Sequence, residues 1–347
     1  MEKDNQTYVT QPGLPEGYSL RSVRLSDIEE IVDLFNVVAR AMKGEDDFDV
    51  NALTNDLQNP GVDLDMDTRV VLNEKGRIVA YQDVFADEPV PVHPVVWGRV
   101  HLDHMGLGLG SSLFEWGKKR ARHVLDKVPG EARVALRAFA PNRWIPGKEL
   151  LEDQGLKPIR HYFEMAIEMD EKPADPTWPD DITLHRYNHP DEGLHVYRAV
   201  EDAFRDHFGY VEWPEEEGFK RFGHMRFKDA DFDPSLWFLA KQGDQIAGFV
   251  LNRNKGSHSI DTGYVQTLGV LRPWRNQGLG LALLKHSFAT FWARGQKRVT
   301  LDVDGKNLTG AVRLYEKAGM HIHRQLDLYE LELRPGIELA TTELEGR

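Results

Sequence analysis

The chain has 347 residues, with 56 acidic and 43 basic side chains and a formal net charge of −13 at pH 7. It contains no cysteine, which excludes structural disulfides, thiolate metal sites and an acyl-cysteine intermediate. This negative balance argues against nucleic acid binding, which needs clustered Lys and Arg, and favours a cationic small substrate. The sequence has neither a signal peptide pattern nor an apolar stretch of about 18 residues, so the expectation is a cytoplasmic protein without a membrane partner.

The N-terminal half alternates strand and helix patterns and contains one glycine-rich loop between Val100 and Ser111. Apolar periodicity and turn residues predict its elements. They are a strand Tyr18–Val23, a helix Asp27–Met42, hairpin strands Arg69–Leu72 and Ile78–Phe85, a strand Val95–Val100, a helix Ser111–Leu125, a strand Ala132–Ala138, a short helix ending at Gly155 and a strand Tyr162–Met169.

The C-terminal half repeats this order of elements. The predicted set is a strand Ile182–Arg186, a helix His195–Phe208, hairpin strands Leu236–Ala240 and Ile246–Asn252, a strand Val265–Val270, a helix Leu281–Trp292 and a strand Leu326–Leu333. An internal repeat of this length predicts two domains of one fold. At this chain length, two domains of about 150 residues can each bury a core.

The break between the halves is a segment rich in proline and acidic residues. Asp170–Asp181 contains three prolines and five acidic side chains, a composition that favours an extended, poorly packed chain. The expected organisation is a degenerate N-terminal domain over 1–170, a linker over 171–181, a catalytic C-terminal domain over 182–334 and a loosely held tail over 335–347.

A second glycine-containing loop follows the strand Val265–Val270. Its sequence, Arg275-Asn276-Gln277-Gly278-Leu279-Gly280, fits R/Q-x-x-G-x-G/A, and Asn307 and Tyr315 follow 27 and 35 residues after the last glycine. Glycines let the backbone approach a ligand, and a helix that begins directly after them offers free N–H groups to a pyrophosphate. A dinucleotide fingerprint is rejected because its third glycine is missing and the loop comes late in its domain.

This arrangement resembles the acyl-CoA-binding core of the GCN5-related N-acetyltransferase (GNAT) superfamily, in the tandem-domain form of mycothiol synthase. The resemblance covers two motifs in the right order and spacing. It implies an α/β fold of two tandem GNAT-like domains, each a mixed, mostly antiparallel sheet with a splayed parallel strand pair flanked by helices. It also implies an acyltransferase that moves an acetyl group from acetyl-CoA, its co-substrate, to a primary amine of a small molecule.

The resemblance also assigns roles to residues of the C-terminal half. Pantetheine adds to the backbone of the strand, the pyrophosphate rests on the loop amides with Arg275 at its edge, and Asn307 hydrogen-bonds the pantetheine arm. Tyr315 is the expected general acid for the departing thiolate. The full expected coenzyme site is Leu268, Gly269, Val270, Arg275, Asn276, Gln277, Gly278, Leu279, Gly280 and Asn307.

The general base is less well defined. Many relatives carry a glutamate six residues ahead of the position held here by Val270, and this chain has Tyr264 there. Tyr264 is the expected second catalytic residue, relaying a proton through water. Asp261, at the start of the strand, and His207, which titrates in the useful range, stay open as alternatives.

The N-terminal loop keeps its glycines, Gly106, Gly108 and Gly110, but loses the polar side chains around them. Met105 stands where the C-terminal loop has an arginine, and Leu151 stands where the C-terminal half has its tyrosine. A second coenzyme site at these three glycines is left open. Because the proton donor is missing, one catalytic site per chain is predicted, in the C-terminal half.

A metal site is not expected. His321 and His323 place two imidazoles on one face of a strand, which is the beginning of a metal pair. No third ligand is indicated nearby, so a solvated strand face is the better interpretation.

Several acceptors and one other class of function stay open. The acceptor could be an amino acid, a polyamine, a peptide N-terminus, an aminoglycoside or the aminosugar thiol precursor of mycothiol. The other class is a non-catalytic acyl-CoA-binding regulator. The intact Asn307 and Tyr315 argue against it, because a sensor has no need of the acid. The sequence does not indicate an oligomeric state.

Overall fold

A computed structural model describes residues 13–342 except 87, 89, 230, 255–261 and 307–309. The described chain divides into two compact units, Met1–Ile159 with Asp327–Leu339 and Arg160–Leu326 with Ala340–Arg347. Within the described residues, no helix is long and apolar enough to cross a membrane.

The described chain contains both strands and helices throughout its length. In chain order they are β1 (Ser19–Arg21), α1 (Ile28–Lys43), α2 (Val50–Leu57), α3 (Leu64–Asp67), β2 (Thr68–Leu72), β3 (Ile78–Phe85), β4 (Val95–Val100), α4 (Leu109–Ala121), β5 (Val134–Pro141), α5 (Ile145–Asp153), β6 (Lys157–Glu168), β7 (Thr183–Arg186), α6 (Gly193–Phe204), α7 (Glu215–Phe227), β8 (Trp237–Gln242), β9 (Gln245–Arg253), β10 (Thr262–Val270), α8 (Leu279–Ala293), β11 (Arg298–Asp304), α9 (Ala311–Lys317) and β12 (His321–Arg334). The linker over 171–181 contains neither helix nor strand.

The sheet of the first unit has the strand order β1-β2-β3-β4-β5-β12, with β12 contributing its residues from Asp327. Strands β1 to β4 pair antiparallel. Only two register pairs, Val95 with Arg137 and Val96 with Ala138, join β4 to β5, and these are parallel. Helix α1 covers one face of this sheet through a stripe of buried apolar residues at helical spacing that includes Ile31, Phe35 and Val38.

The sheet of the second unit has the strand order β12-β6-β11-β10-β9-β8-β7. Strands β7 to β10 pair antiparallel, as do β6 and β11. Strands β10 and β11 pair parallel, and only from Thr262 to Tyr264. Each unit is therefore a mixed, mostly antiparallel sheet with one short parallel pair, which confirms the predicted fold class.

Most predicted elements lie within a few residues of the observed ones. The two predicted hairpins are β2–β3 and β8–β9, and the helix expected after the C-terminal loop is α8, which begins two residues earlier than predicted. Helices α2 and α3 were not predicted, since each has fewer than nine residues and its apolar pattern is short.

The compact units differ from the expected domain ranges at their last strands. Strand β6 belongs to the second unit from Arg160 onward, where Met165 is fully buried. Strand β12 belongs to the first unit from Asp327 onward, where Tyr329 is 1% exposed. Each half of the sequence thus supplies its final strand to the other unit. Alternating hydrophobicity predicts the two faces of a strand but carries no information on its neighbours.

The expected tail is held by backbone hydrogen bonds as far as Thr341. The amide of Arg133 donates to the carbonyl of Ile337, and the amide of Ile337 donates to Glu131. The amide of Gly209 donates to Thr341 in the same way. The described part of this segment is therefore an integral part of the structure, contrary to the expectation of a loose tail.

Candidate active site

A cavity of about 820 Å³ opens where β10 and β11 stop pairing. The last parallel register pair joins Tyr264 to Thr300. Beyond it, residues 265–270 of β10 and 301–304 of β11 form opposite walls of the cavity, while β10 stays paired with β9 as far as Val270. A shift in register between Val265 and Thr267 marks the divergence. One edge of β10 is therefore left without a strand partner and can hydrogen-bond an extended ligand.

The predicted loop closes one end of this cavity. Asn276 and Gly278 have φ values of 62° and 85°, the left-handed region that glycine and asparagine adopt most readily. Helix α8 begins at once after Gly278, and Gly278 to Leu281 all line the cavity. The first N–H groups of a fifteen-residue helix therefore point toward the open space, as an anion site requires.

Arg275 lines the cavity, but its guanidinium is bound within the protein. Nε donates to the carbonyl of Val270 at 3.0 Å, Nη1 to Asp206 Oδ2 at 2.5 Å and Nη2 to the carbonyl of Ala203 at 3.1 Å. Burial alone would raise the pKa of Asp206, but the hydrogen bond and charge of Arg275, with His207, lower it. Arg275 thus ties the loop to the end of α6, and the backbone amides are left to receive a phosphate.

Tyr315, from α9, lies in the cavity wall and is 8% exposed. Its hydroxyl has no hydrogen-bond partner among the described residues, and burial raises the pKa of Tyr315 to about 12. The phenol therefore stays protonated through the neutral and alkaline range. A protonated, unengaged hydroxyl facing the cavity is a suitable proton donor.

Tyr264 is not among the residues that line the cavity. Its hydroxyl donates to Asp302 Oδ2 at 2.7 Å, and Asp302 does line the cavity, from β11. Burial, and then the charge and hydrogen bond of Asp302, raise the pKa of Tyr264 well above its usual value of about 10. Tyr264 is therefore a hydrogen-bond donor to a carboxylate, and its expected role in relaying a proton through water stays a prediction.

His207 follows α6 and also lines the cavity. Its ring packs 4.3 Å from the ring of Phe204, between centroids. Burial lowers the pKa of His207; Asp206 opposes this shift, and Arg275 adds to it. The imidazole is thus mainly neutral at pH 7 and can accept a proton.

The remaining predicted residues fall into three groups. Those that line the cavity as expected are Leu268, Gly269, Val270, Asn276, Gly278, Leu279 and Gly280. Gln277 does not line it, because its exposed side chain turns back to donate to the carbonyl of Pro273. Asn307 and Asp261 lie outside the described residues.

Two residues at this site were missed by sequence reasoning. Asp302 contacts Tyr264, which is 38 residues away in the chain, and Asp206 contacts Arg275, which is 69 residues away. Asp302 could have been found from the parallel pairing of β10 with β11. Tyr264 pairs with Thr300, and Asp302, two residues later, lies on the same face of β11 as Thr300. The sequence carries no comparable signal for Asp206.

The corresponding crevice of the first unit is much smaller, about 130 Å³. Gly110 and Met105 line it, whereas Gly106 and Gly108 do not. The residue eleven positions before the last loop glycine is glycine in the second unit and Arg99 in the first. The Arg99 guanidinium lies 4.3 Å from the centre of a tryptophan ring, Trp97, in the crevice wall, so side chains fill space that is open in the second unit.

In the part of the chain that the structure describes, no three His, Asp or Glu side chains are grouped so that they could hold a metal ion. His321 lies 3.8 Å from Glu168, and His323 lies 3.9 Å from Glu164. Both imidazoles thus face carboxylates on the neighbouring strand β6.

Comparison with known proteins shows the family to which the chain belongs. The model of the Acetyltransferase (GNAT) family matches residues 170–320. A mycothiol acetyltransferase of Thermobispora bispora is 34% identical over 224 residues, covering 63% of this chain and 70% of that protein. One from Streptomyces scabiei is 26% identical over 263 residues, covering 74% and 77%.

Solved structures agree with this result. A GCN5-related N-acetyltransferase from Sphaerobacter thermophilus is 32% identical, with a TM-score of 0.78, and covers 95% of this chain and all of its own. A tandem GNAT protein from the clavulanic acid biosynthesis pathway shares the fold at 15% identity and a TM-score of 0.70, covering 92% of this chain and all of its own. The chain belongs to the GNAT family of acetyltransferases, in its tandem form.

Proposed function

We propose that the second unit transfers an acetyl group from acetyl-CoA to a primary amine of a small molecule. The observation that carries this proposal is the cavity between β10 and β11, with a helix N-terminus at one end and the Tyr315 hydroxyl in its wall. GNAT enzymes use acyl-CoA, and the open edge of β10 suits the amide-bearing pantetheine arm of that coenzyme.

The coenzyme binds along the free edge of β10. Its pantetheine amides pair with the backbone at Leu268 to Val270, and its pyrophosphate lies on the amides that follow Gly278. Asn307 is the proposed side-chain contact to the arm. The thioester then lies toward Tyr264, because the strands close at that end of the cavity.

The transfer needs one proton donor and one proton acceptor. The amine nitrogen forms a bond to the thioester carbon, the C–S bond breaks, and Tyr315 donates its proton to the sulfur. The proton released by the amine passes to Asp302, whose carboxylate is oriented by the hydroxyl of Tyr264. Catalysis is therefore a shared task of Tyr315 and the Tyr264–Asp302 pair.

His207 is the competing base. It faces the same cavity, and its lowered pKa leaves the imidazole neutral at pH 7. Asp302 is preferred because it lies on the wall where the strands converge and is already held by a hydrogen bond from Tyr264. His207 instead follows the helix that Arg275 ties to the loop.

The first unit is proposed to lack a catalytic role. Leu151 is buried in the position that matches Tyr315, and the crevice of about 130 Å³ has little room for a coenzyme arm. A coenzyme bound there would in addition find no proton donor for its thiolate.

The second candidate acceptor is a mycothiol-type aminosugar thiol, favoured by the names of the curated relatives. Acceptors are tested by incubating the protein with acetyl-CoA and a panel of primary amines, then measuring released coenzyme A with a thiol reagent. The protein has no cysteine of its own to react. The proposal fails if no amine gives coenzyme A release above hydrolysis, and an acyl-CoA-binding regulator would then be the better explanation.

A further inference from the structure

One arginine beside the cavity forms no ion pair with any carboxylate that the structure describes. Arg226 lies in the last turn of α7 and is partly buried. Burial lowers the pKa of Arg226 to about 10, so the guanidinium is still charged at neutral pH. A desolvated cation without a counter-ion is costly, and such groups are normally paired.

Within the described residues, Arg226 makes a single hydrogen bond. Its Nη2 donates to Thr267 Oγ1 at 3.3 Å, near the upper limit for such a bond. No ion pair within 4.0 Å involves Arg226 in the described part of the chain. The guanidinium nitrogens that lack a hydrogen bond are not fully enclosed, so they can be reached by a ligand.

Three other arginines of this unit are paired with carboxylates. Arg253 contacts Asp229 at 2.9 Å and also Asp231 at 3.4 Å. Arg275 and Arg160 contact Asp206 and Asp304 at 2.5 and 2.6 Å. These carboxylates therefore already have partners. Asp229, which acts on Arg226 through its charge, is bound to Arg253.

The position of Arg226 connects it to the proposed reaction. Its bond partner Thr267 forms part of the cavity wall, three residues before the end of β10. The charge of Arg226 also acts on Tyr264, whose hydroxyl is bound to Asp302. Arg226 and Asp302 thus both interact with Tyr264, at the end of the cavity proposed for the thioester.

We infer that Arg226 binds a carboxylate of the acceptor, so that the acceptor is an amine that also carries a carboxylate, as an amino acid does. This inference rests on the proposed function. A planar carboxylate fits the guanidinium with two parallel hydrogen bonds. The amine of the same small molecule then lies toward Asp302, the group proposed to receive its proton.

A singly charged carboxylate fits better than a phosphate. A phosphate near −2 would balance the one guanidinium and leave a surplus negative charge close to Asp302, which repels it. The overall charge of −13 favours cations at long range. Arg226 is a positive charge within this negative surrounding, and it favours an acceptor that carries a carboxylate as well as an amine.

The test compares acceptors that differ in the charged group, with each rate expressed per neutral amine, because a carboxylate and a carboxamide give the neighbouring amine different pKa values. Wild-type protein is assayed with amino acids, with the corresponding amino acid amides and with amines of similar size that carry a phosphate. We expect kcat/KM to be about 10- to 100-fold higher for acids than for their amides, the range of one charge-assisted hydrogen bond. Equal rates for acids and amides, or a preference for the phosphates, would overturn the inference while leaving acetyl transfer to amines intact.

Variants then assign the preference to one side chain. Arg226→Gln should raise KM for the acids about 10- to 100-fold and leave kinetics with the amides within about two-fold, whereas Arg226→Lys should retain part of the preference. Lys220→Gln removes a charge from an exposed position of the same helix and should change neither. Thermal unfolding of each variant checks folding.

The outcomes separate the inference from the function on which it rests. If Arg226→Gln is folded and slows acids and amides equally, Arg226 is structural and the inference is wrong. If Arg226→Gln does not fold, the inference is decided by the ratio of kcat/KM for acids to kcat/KM for amides in the wild type. If no member of the panel releases coenzyme A, the proposed transfer is wrong, and the inference falls with it.

Discussion

Tyr264 and Asp302 are joined by a 2.7 Å hydrogen bond at the point where two parallel strands part. The donor is the phenol, since burial and the adjacent carboxylate both keep its proton in place. A carboxylate held in this way faces the cavity in which an acyl group would be transferred. The pair places a carboxylate beside the position at which many relatives carry a glutamate, although the side chain itself comes from the neighbouring strand.

Removing the carboxylate should abolish most of the activity. Asp302→Asn keeps the size of the side chain and leaves it unable to take a proton, so we expect kcat to fall about 10²- to 10⁴-fold, the usual contribution of a general base. His207→Gln is the matched comparison in the same cavity and should cost less than about 10-fold. Steady-state kinetics with a saturating amine measures both. The reverse order of effects would assign the base to His207.

The hydroxyl of Tyr315 should matter for rate and little for binding. Tyr315→Phe keeps the buried ring and removes the proton, so kcat should fall about 10²-fold, with KM for acetyl-CoA within about three-fold. Stability should be nearly unchanged, because the described residues offer this hydroxyl no hydrogen bond to lose. Tyr329→Phe, in the first unit, is the control for kcat; because its hydroxyl donates to Glu152 at 3.0 Å, this variant should lose more stability than Tyr315→Phe. An unchanged kcat would make Tyr315 a packing residue.

Deprotonation of Tyr315 should not lower kcat/KM in the moderately alkaline range. Turnover rises from pH 6 as the acceptor amine loses its proton. Because burial raises the pKa of Tyr315 to about 12, the donor form is lost only as the pH rises through that value. We therefore expect kcat/KM to stay on its plateau to about pH 11, or until the protein unfolds. A descending limb near pH 8 to 9, with the protein still folded, would argue against this donor.

The loop of the second unit should be the one required for turnover. Gly280→Glu places bulk and negative charge at the proposed pyrophosphate site and should abolish acetyl-CoA binding in calorimetry. Gly110→Glu is closely matched, since a Cβ at either position would lie 3.1 to 3.2 Å from a leucine side chain. Activity that survives the first substitution and is lost with the second would place the chemistry in the first unit.

Arg275 should behave as a structural residue of the loop. Arg275→Met, which copies the residue of the first unit, leaves buried Asp206 with only the longer contact to Arg272, at 3.8 Å, and should lower the free energy of unfolding by about 1–3 kcal/mol. The pKa of Asp206 is depressed in the folded protein. The stability that this pair contributes is therefore present above the unfolded value of about 3.9 and lost as the pH falls below it.

Denaturant unfolding of wild type and Arg275→Met at pH 7 and pH 3 measures this effect, and the difference between the two proteins should shrink at the lower pH. Asp206→Asn in the Arg275→Met background should restore part of the stability, because a neutral amide is less costly to bury. An unchanged stability together with a large loss of acetyl-CoA affinity would instead support direct contact of Arg275 with phosphate.

The sequence by itself determined the class of fold, the repeat and the position of the loop. These features are local: strand and helix periods, turn glycines and the spacing from Gly280 to Tyr315 are read along the chain without knowledge of its path. The same local patterns predicted that the N-terminal copy lacks its proton donor, because Leu151 cannot supply a proton whatever its surroundings.

Only the tertiary structure decided which side chains meet. Asp302 reaches Tyr264 across 38 residues, and Arg275 is bound by Asp206 across 69. The exchange of the last strands was equally hidden, since the apolar face of β6 is compatible with the core of either unit. A one-dimensional pattern specifies how much surface an element must bury and on which face, whereas the partner is selected by packing and charge pairing between segments distant in the chain.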